Sequence, residues 1–154
     1  MGVEISGDNI TVPGQVAILL PPTSLYHAIS ARYAGSLKGY VQALDLNAGA
    51  PIDLTALTIN AIRYVPIRCI VYNPTANLAL ATLGLYTAAG GGGVAIVAPV
   101  VLATLTGAGK FQSLSIAALT DVVTATTLYP RLTVASGVIG TAALLLEYVD
   151  LSLI

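Results

Sequence analysis

The side chains that could do chemistry in this chain are few and scattered: one histidine, one cysteine and seven carboxylates. A catalytic triad would have only His27 as its base, and the nearest acid in sequence is Asp45, with no nucleophile marked beside it. A single histidine excludes a multi-histidine metal site. A glycosidase pair of carboxylates could be assembled only by the fold. We therefore predict a protein that is not an enzyme and has no cofactor or metal ion.

Two glycine-rich stretches, residues 107–110 and 90–93, could in principle cradle a phosphate. The phosphate-binding pattern needs a glycine five residues before its Gly-Lys pair and a Ser or Thr after the lysine. Around residues 107–110 those two places hold Thr104 and Phe111, and no lysine follows residues 90–93. The first stretch is predicted to be a turn and the second a flexible loop.

Tyrosines and charged residues within apolar strands are better candidates for contact with another protein. Glu147 has apolar strand neighbours, so we expect an arginine partner, either across the sheet or across a subunit interface: Arg63, Arg68 or Arg131. The tyrosines could stack on sugar rings, but tyrosine and arginine are also enriched in protein interfaces. The predicted interface residues are Tyr64, Arg68, Tyr72, Tyr86, Tyr129, Arg131 and Glu147.

The stretch over residues 62–105 must position most of these side chains, and between Cys69 and Gly109 it has no charged residue. A membrane-spanning helix needs about 20 continuous apolar residues, and here four glycines and Pro99 interrupt the run. Strands joined by a glycine hairpin fit better, over residues 63–73, 79–86 and 94–105. In the first strand the pattern puts two sets of residues on opposite faces: Val65, Ile67, Cys69 and Val71 against Tyr64, Pro66, Arg68 and Tyr72.

Prolines and a lone cysteine add detail to these strands. Pro66 and Pro130 cannot donate to a ladder, so each is expected at an edge or a bulge. Cys69 is expected to be a small buried hydrophobe, because its strand neighbours are apolar.

Short alternating segments with Gly, Pro and Asn punctuation occupy the rest of the chain. Strands are predicted over residues 15–20, 37–46, 51–59, 128–135 and 141–153. In the second of these, Leu37, Val41 and Ala43 oppose Lys38, Tyr40 and Gln42. Residues 24–33 could be a helix or an irregular strand, and residues 113–125 could hold a helical turn. This spacing predicts an all-β protein, a single-domain antiparallel β-sandwich or jelly-roll-like barrel over residues 13–154, with residues 1–12 as an arm or edge strand.

Charge is scarce in this sequence. Charged residues make up 8% of the chain, against about 25% in an ordinary globular domain. The net charge of -1 provides no basic footprint for nucleic acid and no polybasic segment for a membrane surface. A surface so poor in charge tends to associate, so we predict that much of it contacts other protein chains and that the protein is a homo-oligomer.

The run RYVPIRCIVYNPTANLALATLGLYTAAGGGGVAIV, residues 63–97, resembles small structural proteins of tailed bacteriophages. The resemblance is to capsid decoration (cement) proteins and related virion-associated proteins. It rests on a Tyr-x-Pro-x-Arg strand, an asparagine turn at Asn73, a Leu-Tyr-Thr-Ala-Ala strand end and a glycine-rich loop before a Val/Ile strand. A weaker echo lies over residues 128–134. The glycine tract departs from the family, which carries a more polar loop there.

This resemblance implies a multimeric all-β protein of the virion without catalytic residues. The expected function is to bind the outer surface of the capsid, with the major capsid protein as partner and a homotrimer favoured, and to stabilise the shell. Residues 1–12 would be an arm that reaches the shell or a neighbour. Two alternatives stay open: a tail, neck or head-fibre component of the virion, and a carbohydrate-binding β-sandwich module.

Overall fold

A computed structural model describes residues 4–6, 9–11, 18–19, 37–117 and 121–152, and side chains are described from residue 37 onward. The predicted segment 24–33, with His27, lies outside these residues, as does most of the predicted strand 15–20. The strands are β1 Glu4–Ser6, β2 Asn9–Thr11, β3 Ile18–Leu19, β4 Leu37–Asp45, β5 Ile52–Asp53, β6 Leu57–Thr58, β7 Tyr64–Tyr72, β8 Thr82–Ala88, β9 Gly92–Val101, β10 Phe111–Leu114, β11 Thr127–Val134 and β12 Thr141–Asp150. One 3-10 turn, Ala89–Gly91, separates β8 from β9.

Three antiparallel sheets contain these strands. Sheet I has four strands in the order β10-β7-β12-β4. Sheet II has five, in the order β5-β11-β8-β9 with β6 also paired to β11. The short strands β1, β2 and β3 form a separate three-stranded sheet, so part of the predicted arm is paired strand. The predicted division between residues 1–12 and 13–154 stays a prediction.

A hydrophobic core lies between sheets I and II. One cluster of buried side chains takes members from both, including Leu44, Cys69, Val71, Leu144 and Leu146 from sheet I and Leu57, Leu83, Leu85, Leu128 and Leu132 from sheet II. Inward apolar residues alternate with outward residues, most regularly along β11, as in a sandwich with one face of each sheet in the core. The predicted all-β antiparallel sandwich is confirmed. No helix among the described residues is long and apolar enough to cross a membrane.

A β-bulge in β7 overturns part of the predicted facing. Tyr148 pairs with Pro66 and Glu147 pairs with Arg68, so Ile67 is an extra residue without a partner on β12. The bulge reverses the phase of the strand. Tyr64 and Pro66 are therefore buried on the inner side, whereas Val65 and Ile67 lie on the outer side. The predicted faces are wrong for these four residues, and the fully buried Tyr64 is not on either outer surface.

A second irregularity changes β4. Leu44 pairs with Ala142 and Val41 with Leu144, so two residues of β4 stand opposite one of β12, and Ala43 has a φ of 54°. Leu37 lies on the same face as Val41, as predicted, because it pairs with the buried Tyr148, although at the strand end it is 41% exposed. Ala43 is exposed at the irregularity, so its predicted place on the face of Val41 is wrong, and Leu44 takes the next inward place. The predicted outer residues of this strand are exposed.

Other strand boundaries also differ from the predicted ones. The segment 51–59 holds two strands of two residues each, and residues 113–125 show no helical turn in the part described. Pro66 lies beside the β7 bulge, as predicted. The carbonyl of Pro130 accepts a hydrogen bond from the Leu54 N–H at 2.8 Å. The nitrogen of a strand residue points to the same side as its carbonyl, so the Pro130 nitrogen faces the gap between β5 and β6. The missing N–H of Pro130 therefore removes no hydrogen bond between β11 and β8.

Candidate functional site

The predicted interface residues separate into three places. Tyr64 is in the core, where its hydroxyl donates to the carbonyl of Ala125 at 2.8 Å. The outward side of sheet I carries Arg68, Tyr72 and Glu147, and the outward side of sheet II carries Tyr86, Tyr129 and Arg131. The chain therefore has two candidate surfaces on opposite sides of the sandwich rather than one combined site.

An ion row crosses the outer face of sheet I. Lys38, Glu147 and Arg68 are direct cross-strand neighbours on β4, β12 and β7. The Arg68 guanidinium donates from Nε to Oε2 of Glu147 and from its second terminal nitrogen to Oε1, both at 2.9 Å. Nζ of Lys38 lies 3.8 Å from Oε1. The predicted arginine partner is thus Arg68, across the sheet of the same chain rather than across a subunit interface.

Apolar rows lie beside the ion row. Tyr40, Leu145 and Ile70 form the next outward row, with Tyr40 63% exposed. One step further along the strands, Tyr72 pairs with Phe111 of β10, which is 62% exposed. Together with the ion row, all of these side chains except Tyr40 line an open groove of about 480 Å³.

Acid should weaken this ion row. The hydrogen bonds from Arg68 are the main reason that the pKa of Glu147 lies below its ordinary value, partial burial opposes them, and the charges of Arg68 and Lys38 lower it further. A carboxyl whose pKa is lowered by folding stabilises the fold above its unfolded pKa, and that contribution is lost as pH falls through the folded pKa. We expect the free energy of unfolding to decrease below about pH 4.5, and less steeply in Glu147→Gln. Urea unfolding of both proteins between pH 7 and pH 3 measures this. Equal slopes would contradict it.

Sheet II presents a tyrosine pair on its outer face. Tyr86 of β8 and Tyr129 of β11 stand directly opposite each other, and Arg131 stands opposite Gly84. A Cβ at Gly84 would lie 2.9 Å from Cε2 of Tyr86, so the ring lies over the glycine backbone. The absent side chain lets a tyrosine lie close to the sheet.

Asp53 ties Arg131 to the glycine turn after β8. Its Oδ1 accepts from the Arg131 guanidinium at 2.8 Å and its Oδ2 accepts from the Gly90 N–H at 2.6 Å. Gly90, Gly91 and Gly93 have φ between 67° and 77°, which side chains rarely adopt. In place of the predicted flexible loop, the structure has a short 3-10 turn anchored to β5 and β11.

Removing this anchor has an expected cost. Asp53→Ala should lower the free energy of unfolding by about 1–3 kcal/mol, because it deletes two hydrogen bonds to a charged acceptor. Hydrogen exchange at the Gly90 amide should accelerate in the same variant. Asp121→Ala, at an exposed acidic residue, is the matched control. An unchanged Gly90 amide in Asp53→Ala would show that the carboxylate does not hold the turn.

Sequence reasoning missed several residues of these surfaces. Asp53 stands 78 positions before Arg131, and only the register of the short strand β5 brings the two together. Ile70, Phe111 and Leu145 were not among the predicted surface residues, because an apolar residue on a strand does not reveal its side. Lys38 was predicted to share a face with Tyr40, which the structure confirms, but its pairing with Glu147 was not predicted.

Other chemistry-bearing groups form no further site in the part of the chain that the structure describes. No group of three or more His, Cys, Asp or Glu side chains there could hold a metal ion. Cys69 is buried as predicted, and burial raises the pKa of its thiol to about 12. The described residues form a β-sandwich with two outward surfaces that both carry tyrosine side chains.

Comparison with protein families, with curated proteins and with solved structures finds no match to this chain.

Proposed function

We propose that this protein is a non-enzymatic structural component of a tailed-bacteriophage virion that binds the outer capsid surface as a homo-oligomer and stabilises the shell. One observation carries the proposal. Both outer faces of the sandwich present tyrosine side chains, and sheet I also presents apolar ones. Five of the described charged residues on those faces are joined in two clusters, Arg68–Glu147–Lys38 and Arg131–Asp53, and Asp45 lies apart at the end of β4. Such faces suit contact with protein, since tyrosine and arginine predominate in interfaces.

The resemblance to capsid decoration proteins supplies the virion context. Its residues lie on β7, on β8 and in the glycine turn, and two of them, Arg68 and Tyr86, are on the proposed contact faces. The partner would be the major capsid protein, and the resemblance favours a trimer. The turn Ala89–Gly91, held by Asp53, lies beside the tyrosines of sheet II and gives that surface a fixed shape. We therefore take the outer face of sheet II as the side that contacts the shell.

Burial of apolar surface at joints between capsid subunits would provide the stabilisation. Apolar area removed from water contributes about 25 cal/mol per Å², from which the costs of association are subtracted. A ligand that binds the assembled shell and not its separated subunits stabilises the shell by mass action. Many weak identical contacts are sufficient in this mechanism.

Cosedimentation with undecorated shells, assembled from the major capsid protein encoded in the same genome, tests the proposal. We expect saturable binding by the wild-type chain. Tyr129→Ala should weaken it tenfold or more, about 1.4 kcal/mol. Leu80→Ser, at a residue 71% exposed outside both faces, should bind like the wild type. Absence of wild-type binding would refute the proposal.

A tail, neck or head-fibre position is the second candidate within the virion. The same protein-binding faces would serve it, with tail or neck proteins as partners. The number of copies in each particle distinguishes the two positions, because capsid joints are many and a neck or tail tip has few.

A carbohydrate-binding module is the candidate from another class. The direct pairing of Tyr86 with Tyr129 favours it, because neighbouring aromatic rings on a sheet can stack on sugars. A glycan screen with wild type and Tyr129→Ala examines this reading. A hit that disappears in the variant would favour the module over the virion component.

A further inference from the structure

The outer face of sheet I has three successive rows whose order is set by strand register. The ion row contains Lys38, Glu147 and Arg68. The central row contains Tyr40, Leu145 and Ile70, and the aromatic row contains Tyr72 and Phe111. Leu145 lies at the middle of the ten-residue β12, so the central row is also the geometric centre of the face.

We propose that the outer face of sheet I is the contact between two copies of this chain, related by a two-fold axis that lies between the two faces, runs across the strands and passes over Leu145. The inference deepens the homo-oligomer part of the proposed function and rests on it. It assigns the other outer face, on sheet II, to the shell.

The size of the face fits a second copy. At about 4.8 Å between strands and 3.3 Å per residue, the three long strands and short β10 cover roughly 500 Å². A pair of such faces would bury on the order of 1,000 Å², the lower limit for a specific interface. A small ligand in the groove would leave most of this apolar area in water.

Charge determines the orientation of the two copies. The ion row carries two cations and one anion, so an axis along the strands would set two net positive rows against each other. With an axis across the strands, each strand faces the same strand of the second copy, and a position on one side of the central row faces the position equally far on the other side. Arg68 of one copy then faces Tyr72 of the second copy, both on β7, and a guanidinium over a tyrosine ring is a favourable cation–π contact. The same contact occurs twice in the pair.

Light scattering of the full chain over a range of concentrations, with charged variants at the axis, tests the inference. Leu145→Arg and Leu145→Glu each place like charges together at the axis, and each should halve the mass seen for the wild type. An equimolar mixture of the two variants should recover the wild-type mass, because opposite charges then meet. Far-UV circular dichroism confirms that each variant is folded. Val134→Arg, at an exposed residue of β11 in sheet II, is the matched control and should leave the mass unchanged.

Variants of Tyr72 test the orientation. Tyr72→Phe keeps the ring and should associate like the wild type. Tyr72→Ser should weaken association roughly five- to thirtyfold, because two cation–π contacts are lost. Equal weakening by Tyr72→Phe and Tyr72→Ser would contradict the stacked arginine.

Even-numbered assemblies support the inference: a dimer, or a hexamer in which the two-fold contact joins trimers. A monomer at every concentration, an isolated trimer, or a mass insensitive to Leu145→Arg would overturn it. The outcomes are separable from those of the proposed function. Shell binding by a chain without the two-fold contact would remove this inference alone, and an even-numbered assembly that ignores shells would remove the shell function alone.

Discussion

Replacing Tyr64 by alanine is expected to lower the free energy of unfolding by about 3–5 kcal/mol, the usual range for a buried aromatic residue. The side chain is fully buried, and its ring packs edge to face on Tyr148 with centroids 5.2 Å apart. Burial raises the pKa of its hydroxyl, which therefore stays protonated and keeps donating to Ala125. A small domain has a total stability of about 5–15 kcal/mol, so this loss is a large fraction of the total.

Two further substitutions isolate the cause. Tyr64→Phe keeps the ring and should cost about 1 kcal/mol, the value of one hydrogen bond. Tyr72 is the last residue of the same strand and its side chain is on the outer face of sheet I. Tyr72→Ala should therefore lower the free energy of unfolding by less than about 1 kcal/mol, because surface substitutions rarely cost more. Denaturant unfolding measures all three. Equal losses for Tyr64→Ala and Tyr72→Ala would refute the phase reversal at the Ile67 bulge.

Neighbouring leucines on β12 should differ in how much their replacement lowers stability. Leu146 is fully buried between the sheets, whereas Leu145 points outward and is partly exposed. Leu146→Ala should lower the free energy of unfolding by about 2–5 kcal/mol through lost burial and the cavity that remains. Leu145→Ala should cost less than about 1 kcal/mol in the isolated chain.

Denaturant unfolding at low protein concentration measures this pair of leucines, because dilution removes the contribution of self-association. The two variants have the same chemistry and adjacent positions, so each is the control for the other. A larger loss for Leu145→Ala than for Leu146→Ala would mean that the inward and outward faces of sheet I have been exchanged.

Alternation and punctuation were sufficient to predict the fold class. In β11 the alternation puts Leu128, Leu132 and Val134 on the face opposite to Tyr129, Arg131 and Thr133. Leu128 and Leu132 are buried as that pattern suggests, whereas Val134, after a register shift, is 52% exposed. The glycine-joined hairpin of β8 and β9 was also predicted, because glycines with positive φ suit its turn. These features are local, so a single sequence can reveal them.

The alternation pattern could not reveal the β-bulges. One extra residue at Ile67 exchanges the faces of the remainder of β7, and a similar irregularity near Ala43 does so in β4. A strand with apolar residues in both phases, such as β7 or β12, does not show where the phase changes. The wrong face assignments, for residues 64–67 of β7 and for Ala43 of β4, come from this source.

The candidate surfaces depend on distant pairings. Arg68 and Glu147 are 79 positions apart, and the sequence suggested three possible arginines for this carboxylate. Strand order decides among them, and strand order is not encoded in local periodicity. Candidate residue types could therefore be named in advance, whereas their grouping into two opposite faces required the fold.

The most direct measurement of the central proposal is the number of copies of this chain in purified virions of the tailed phage that the proposal implies as its source, determined by quantitative mass spectrometry against the major capsid protein. A shell-binding protein is predicted to be present in many copies, in a fixed ratio to the capsid subunits. A chain that is absent from the particles, or present in only a few copies for each particle, would contradict binding across the shell.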